Sequence, residues 1–296
     1  PAEITHRDFP LPRLAKRIVE IRGELQDARG IVVLRGLPVV DRGREWSARA
    51  YLGLGAHLGR PVSQNGYGHL LGHVRDFGKS YDDPHFRGYQ SNAALGFHCD
   101  HCDYVGLLCM QTPQSGGESR VASAVTLYNR LLAADAELAG ELCRDFYWTR
   151  HGEVPEGQPP WYRQPVFSFH KGYFSARGVS SYIRKAQGLP GVPPFTASQE
   201  AAMKLYVDMV EDCAADIPFA VGDIQFLHNH VLLHSRRGFV DRPAPAPRRH
   251  LYRLWLSEEN PRPLPPEVRA NFQGVYVAGA RHQVVIDPEQ AEEAAA

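Results

Sequence analysis

Apolar and polar positions divide the chain into short segments of changing period. Between residues 12 and 26, Leu14, Ile18, Ile21 and Leu25 recur at helical spacing and predict an amphipathic helix. Gly30 leads into Ile31-Val32-Val33-Leu34, an apolar run closed by Gly36 that reads as a buried strand. Helical periodicity returns over 46–58 and 123–142, whereas 104–110 suits a strand. Phe146-Tyr147-Trp148 and residues 166–174 are rich in β-formers, with Gly172 marking a turn or bulge. Thr196 or Ser198 is placed to cap a helix running through Cys213, with Leu205 and Met209 on one face. Further strands are expected at 223–233 and 250–256, separated by the proline-rich loop 243–247. Residues 60–97 show little period and are rich in Gly, His, Asp and Tyr, which reads as site-lining loops with short strands.

Many short strands with few helices favour a mainly β fold with added helices over a βαβ fold. A distorted jelly roll accommodates them. With no internal repeat and no linker, residues 1–296 read as a single domain, its core over about 30–263 and a frayed tail at 289–296.

Charge changes this picture little. Lys plus Arg and Asp plus Glu both total 33, so no overall field recommends nucleic acid or an anionic membrane as partner. No apolar run approaches the roughly 18–20 residues that span a bilayer, and Pro1-Ala2-Glu3-Ile4-Thr5 lacks the features of a secretory signal. Cys99, Cys102, Cys109, Cys143 and Cys213 are odd in number without disulfide-framework spacing, which fits reduced thiols and a cytoplasmic location. Nothing here fixes the oligomeric state.

Three segments carry candidate chemistry. In Gly96-Phe97-His98-Cys99-Asp100-His101, an imidazole and a carboxylate two apart on an extended segment point the same way. They supply two of the three ligands of a 2-His-1-carboxylate facial triad. Gly222-Asp223-Ile224-Gln225-Phe226-Leu227 turns into an apolar strand that reaches His234-Ser235-Arg236. In Arg249-His250-Leu251-Tyr252-Arg253-Leu254-Trp255-Leu256, period 2 puts Arg249 and Arg253 on one face with Leu251 and Trp255. Two guanidinium groups on an apolar face are costly unless they meet anions, although Arg248-Arg249-His250 alone also reads as a solvated turn.

In this order, and with Gly116-Gly117-Glu118-Ser119 between them, these segments resemble the taurine dioxygenase-like family of Fe(II)/2-oxoglutarate-dependent oxygenases from Gly30 to about Pro263. The resemblance implies a double-stranded β-helix, with His98, Asp100 and His234 as iron ligands. It implies that Ser119 and Arg249 hold the distal carboxylate of 2-oxoglutarate, and that Arg253 faces substrate or cosubstrate. A facial triad leaves three positions on iron, enough for a chelating 2-oxo acid and O2. Oxidative decarboxylation to succinate and CO2 would then produce a ferryl intermediate that takes hydrogen from a substrate C–H bond. Hydroxylation, desaturation or ring closure of a small molecule follows, and Asp100 disfavours halogenation. Two competing readings are a metal-binding jelly-roll protein without turnover and a zinc hydrolase using the same ligands. The hydrolase leaves Ser119 and Arg249 without a role.

Several neighbours compete for these roles. His101 and Asp103 repeat the His-x-Asp spacing but should face away from His98 and Asp100 in an extended segment, with Asp103 a structural acceptor. Cys99-x-x-Cys102 lacks the second pair a zinc site needs. His228 and His230 share a side with His234 if 223–233 is one strand, and suit core or supporting roles. Gly53-Leu54-Gly55 and Gly66-Tyr67-Gly68 place their third glycine one position too late for a dinucleotide fingerprint. Arg75, Arg87 and Arg253 would favour an acidic or amino-acid-like substrate, although Arg75 and Arg87 read first as surface charge. Segments 64–90 and 151–165 are the lid candidates.

Overall fold

A computed structural model describes residues 4–78, 87–279 and 281–293. Two antiparallel sheets face each other. The larger runs Ile31–Leu34, Ile224–His228, Tyr104–Gln111, His250–Ser257 and Arg60–Pro61, with Leu71–Val74 also paired to His250–Ser257. The smaller runs Ala214–Ile217, Ser119–Ser123, Leu232–Arg236 and Leu95–His98. Alternation along each strand separates the layers. Tyr104, Leu108, Phe226 and Leu254 point outward from the larger sheet against Ile21, Leu25, Tyr51 and Leu52 of the helices Ala15–Gln26 and Val39–Gly55. Ala122 and Leu233 of the smaller sheet point outward against Leu127, Leu131, Met203 and Tyr206 of the helices Ala124–Ala134 and Ala197–Val210. Inward-facing Val105, Val121, Leu227, Leu232 and Trp255 close one end of the space between the sheets.

The strands at Ile31–Leu34, Tyr104–Gln111 and His250–Ser257 follow the sequence pattern, and Thr196 caps its helix through a capping box with Gln199. Gly172 (φ 81°) turns the hairpin Phe167–His170/Tyr173–Ala176. Three expectations need correction. The helix expected over 46–58 begins at Val39 and is interrupted at Gly43. The helix expected over 123–142 breaks at Asp135, whose carboxylate caps a second helix, Ala136–Glu141, through the Glu137 and Leu138 amides. Most consequential, 223–233 is not one strand. The chain leaves the larger sheet after His228 and enters the smaller one at Leu232, because Asn229 spends its side chain on neighbouring backbone and leaves the ladder. The tail expected to fray carries a short helix, Pro288–Glu293, and Glu289 pairs with Arg75 at 2.9 Å. Residues 294–296 lie outside the described residues.

Candidate metal centre and its cavities

The same alternation sends His98, Ser119 and His234 inward from the smaller sheet, toward Leu107, Leu251 and Arg253 of the larger one. His98 ends its strand directly opposite His234, with ring centroids 4.3 Å apart. Beyond His98 the chain leaves the sheet, and Asn229 captures the turn. Its side chain accepts from the Asp100 amide at 3.0 Å and donates to the Asp100 carbonyl and, at 2.9 Å, to that of Cys102. This fold-back aims the Asp100 carboxylate at both imidazoles. His98 Nε2 lies 3.9 Å from Asp100 Oδ1, and His234 Nε2 lies 3.6 Å from Oδ2. One ligand atom from each of the three residues falls within 4.8 Å of the others, a spacing suited to one metal ion.

Protonation suits a cation as well. Nδ1 of His98 donates to the Gly96 carbonyl at 2.8 Å, since a carbonyl only accepts, and this leaves the Nε2 lone pair facing the site. Burial, reinforced by His234 alongside, lowers His98 to about 4 and keeps the ring neutral. Burial alone would raise Asp100; the Arg253 guanidinium and the two histidines outweigh it and hold the carboxyl well below its usual range. A neutral His98, the ionised Asp100 and the His234 imidazole together form a donor set that fits ferrous iron. Trp255 Nε1 donates to Asp100 Oδ2 at 2.8 Å, and Arg253 Nη1 lies 3.4 Å from the same oxygen. Gln64 holds Arg253 at both ends, accepting from its Nε and donating to its carbonyl, each at 2.8 Å.

Two cavities meet at this centre. The smaller, about 40 Å³, is lined by His98, Ser119, His234, Arg249, Leu251 and Arg253 among others. The larger, about 220 Å³, is bounded by His98, Asp100, His101, Arg87, Tyr182 and Trp255. In the smaller chamber Arg249 is 3% exposed, and its Nη1 has no hydrogen-bond partner among the described residues. Its Nη2 reaches only the Gly117 carbonyl, at 3.4 Å, and burial lowers the group to about 10. A buried guanidinium with a free donor is costly until an anion meets it. The Ser119 hydroxyl donates to Gln225 Oε1 at 2.9 Å.

The structure therefore brings His98, Asp100, His234, Ser119, Arg249 and Arg253 around the two cavities. Arg249 and His250 are buried, so the solvated-turn reading fails. The parity of Arg249, Leu251, Arg253 and Trp255 survives a register shift, because the extra residue, Met110, lies on the opposing strand. His101 does not face away. The segment stops being a strand at His98, and His101 lines the larger cavity, accepting from Arg177 Nη2 at 2.7 Å. Asp103 is a buried acceptor for His230, the Glu258 amide and Arg269. His228 and His230 do not share a side with His234, since the strand breaks between them. Arg87 is no surface charge: it lines the larger cavity and pairs with Glu153, while Arg75 pairs with Glu289. Of the lid segments, Tyr89 and His151 reach the larger cavity, and 79–86 lie outside the described residues. Burial raises both Cys99, to about 12, and Cys102, so neither thiol is poised as a thiolate ligand.

Sequence reasoning missed Gln64, Asn229, Gln225 and Arg177. Gln64 sits in an irregular segment with no period to assign it a face. Asn229 was legible only as a polar residue interrupting an apolar run.

Two antiparallel sheets enclosing a His, Asp, His cluster define the class of mononuclear non-haem metal oxygenases with a double-stranded β-helix core. The family model described as "Taurine catabolism dioxygenase TauD, TfdA family" matches residues 1–255, and the chain belongs to that family. It is a 2-oxoglutarate-dependent non-haem iron dioxygenase that uses Fe(II), 2-oxoglutarate and O2. It is 32% identical over 285 residues to FR-33289 synthase of Streptomyces rubellomurinus, covering 93% of this chain and 83% of that protein. It is 27% identical to the taurine hydroxylase-like protein SAT17 of Stachybotrys chartarum, covering 93% of this chain and 74% of that protein. An asparagine oxygenase, in complex with Fe(II), 2S,3S-3-hydroxyasparagine and succinate, shares the fold (TM-score 0.64, 21% identity, 82% of this chain and 79% of that one). So does the non-heme iron oxygenase OrfP with Fe and alpha-ketoglutaric acid (TM-score 0.61, 18% identity, 85% and 84%). Membership of the family displaces the non-catalytic and zinc-hydrolase readings. Among the described residues no helix is long and apolar enough to cross a membrane.

Proposed function

We propose that iron is held by His98, Asp100 and His234, and that the enzyme hydroxylates an acidic or amino-acid-like small molecule bound in the larger cavity. The observation that carries this reading is the junction of the two cavities at His98 and Arg253, beside the three clustered donors. The smaller chamber is the 2-oxoglutarate site. Its distal carboxylate meets the unpaired Nη1 of Arg249, whose planar fork suits a carboxylate better than an ammonium does. For Ser119 to donate to that carboxylate, its proton must turn from Gln225; the Gln225 amide, whose buried Nε2 has no partner among the described residues, can rotate to donate to Ser119 instead. Arg253 neutralises Asp100 and walls both cavities, so it acts on substrate and cosubstrate alike.

Bound iron supplies activation of O2 coupled to decarboxylation of 2-oxoglutarate to succinate and CO2. The protein's own residues orient the two organic ligands. Arg177 and Lys185 line the larger cavity beside the Arg87–Glu153 pair and favour an anionic substrate. Support for an amino-acid-like molecule comes from the fold neighbours, whose complexes contain hydroxyasparagine and hydroxyarginine. Hydroxylation is preferred over desaturation or cyclisation on the same ground. Anaerobic titration with Fe(II) and then 2-oxoglutarate tests the site: a visible charge-transfer band should form in the wild type and be lost in His98→Ala and His234→Ala. An undiminished band in those variants removes the ligand assignment.

A further inference from the structure

A carboxylate that serves as a metal ligand has two oxygens, and how many of them bind decides how many positions remain. The two oxygens of Asp100 have different surroundings. Oδ2 accepts from the Trp255 indole at 2.8 Å and lies 3.4 Å from Arg253 Nη1. Oδ1 has no such donor among the described residues and sits 3.9 Å from His98 Nε2. Trp255 is 2% exposed, its ring packs over the Arg253 guanidinium at 4.7 Å, and Gln64 locks that guanidinium in turn. The donors on Oδ2 are therefore built into the strand His250–Ser257, which belongs to the sheet opposite both histidines.

We propose that Trp255, with Arg253, is a positioning residue that restricts Asp100 to one-oxygen ligation. Resting on the assignment of Asp100 as an iron ligand, this gives the indole a specific task. A facial triad leaves three positions only if its carboxylate uses one. 2-Oxoglutarate fills two, and a second carboxylate oxygen would take the position O2 requires. The indole N–H occupies Oδ2 with a hydrogen bond that the metal would have to break. It also fixes the carboxylate plane, as outer partners of metal ligands generally do.

The test is Trp255→Phe, which keeps an aromatic ring over Arg253 and removes the N–H. Benzothienylalanine placed at position 255, which preserves the bicyclic shape without the N–H, separates hydrogen bonding from packing. Anaerobic Fe(II) titration should show about 10–100-fold weaker binding in both, the usual cost of losing such a partner. Difference infrared spectra of the iron-loaded protein should show a narrower splitting between the two carboxylate stretches as Asp100 becomes free to chelate. Iron affinity within about twofold of wild type and an unchanged splitting in the benzothienylalanine protein would overturn the proposal. Asp100→Ala is the control: if it too binds iron like the wild type, the ligand assignment fails rather than the role of Trp255.

Discussion

Arg249 shows how much one side chain discloses. It is a buried cation whose Nη1 lacks a partner among the described residues, set in a chamber it shares with Leu107, Leu251 and Ser119. Its anion should therefore stabilise the folded state visibly. At 100 times its dissociation constant a ligand adds about 2.7 kcal/mol, and at this chain length each kcal/mol moves the midpoint by roughly 2–4 °C. A thermal melt with Fe(II) and saturating 2-oxoglutarate should thus rise by several degrees. Arg249→Met should abolish most of that rise, with little loss of stability in the ligand-free protein. A full shift in Arg249→Met would place the carboxylate elsewhere. Asp103 makes the complementary case of a charge fully met within the fold. Burial works against it, but hydrogen bonds from His230 and Arg269 bring its carboxyl down to about 2. Since the folded value lies below the unfolded one of about 3.9, the contribution is present above pH 4 and lost as pH falls toward 2. It amounts to about 2–3 kcal/mol. Asp103→Asn should remove that acid dependence from urea melts and destabilise the protein by about 3 kcal/mol at pH 7.

Among the elements, the turn before Ser119 and the break at Asn229 position the site most directly. Gly117 has φ 75°, and a Cβ there would stand 3.0 Å from Arg249 Nε. Gly117→Ala is expected to strain the turn and displace the guanidinium, raising KM for 2-oxoglutarate about tenfold or more with a smaller change in kcat. An unchanged KM would separate the turn from the cosubstrate site. Asn229→Leu removes the three hydrogen bonds that fold Asp100 back, each worth about 1 kcal/mol net. A drop of 2–3 kcal/mol in denaturant stability together with weaker iron binding is expected. The sequence made part of this readable. Period 2 in 249–256 identified the inward face of one strand, and the His98-x-Asp100 spacing named two candidate ligands. The way those two meet was not readable, because Asp100 reaches the site through a turn held by a residue more than a hundred positions away. Nor could the run over 223–233, broken only by polar residues that a strand also tolerates, reveal that its halves serve different sheets. That depends on what Asn229 meets after folding. His101 was misplaced for the same reason, its facing having been inferred from a strand that stops three residues earlier.

At the scale of the whole molecule, the segment following the matched family region braces the site from outside. Arg269 reaches Asp103, Phe272 packs on the His230 ring with centroids 4.5 Å apart, and the Gly274 amide donates to the His101 carbonyl at 2.8 Å. Ending the chain at residue 263 should therefore lower the melting temperature and weaken iron binding, although no proposed ligand is removed. Iron affinity equal to that of the full chain would show the brace to be dispensable.

The common wall of the two cavities has a thermodynamic consequence. Tyr89, Leu95, His98 and Arg253 border both, so an occupant of one chamber alters the surface offered to the other. Any factor by which substrate tightens 2-oxoglutarate must be returned to substrate in full, since the coupling free energy belongs to the pair and not to either ligand. Failure to detect a weak substrate alone would then say little about its identity, and screens run with the cosubstrate in place would find ligands that screens of the empty protein overlook.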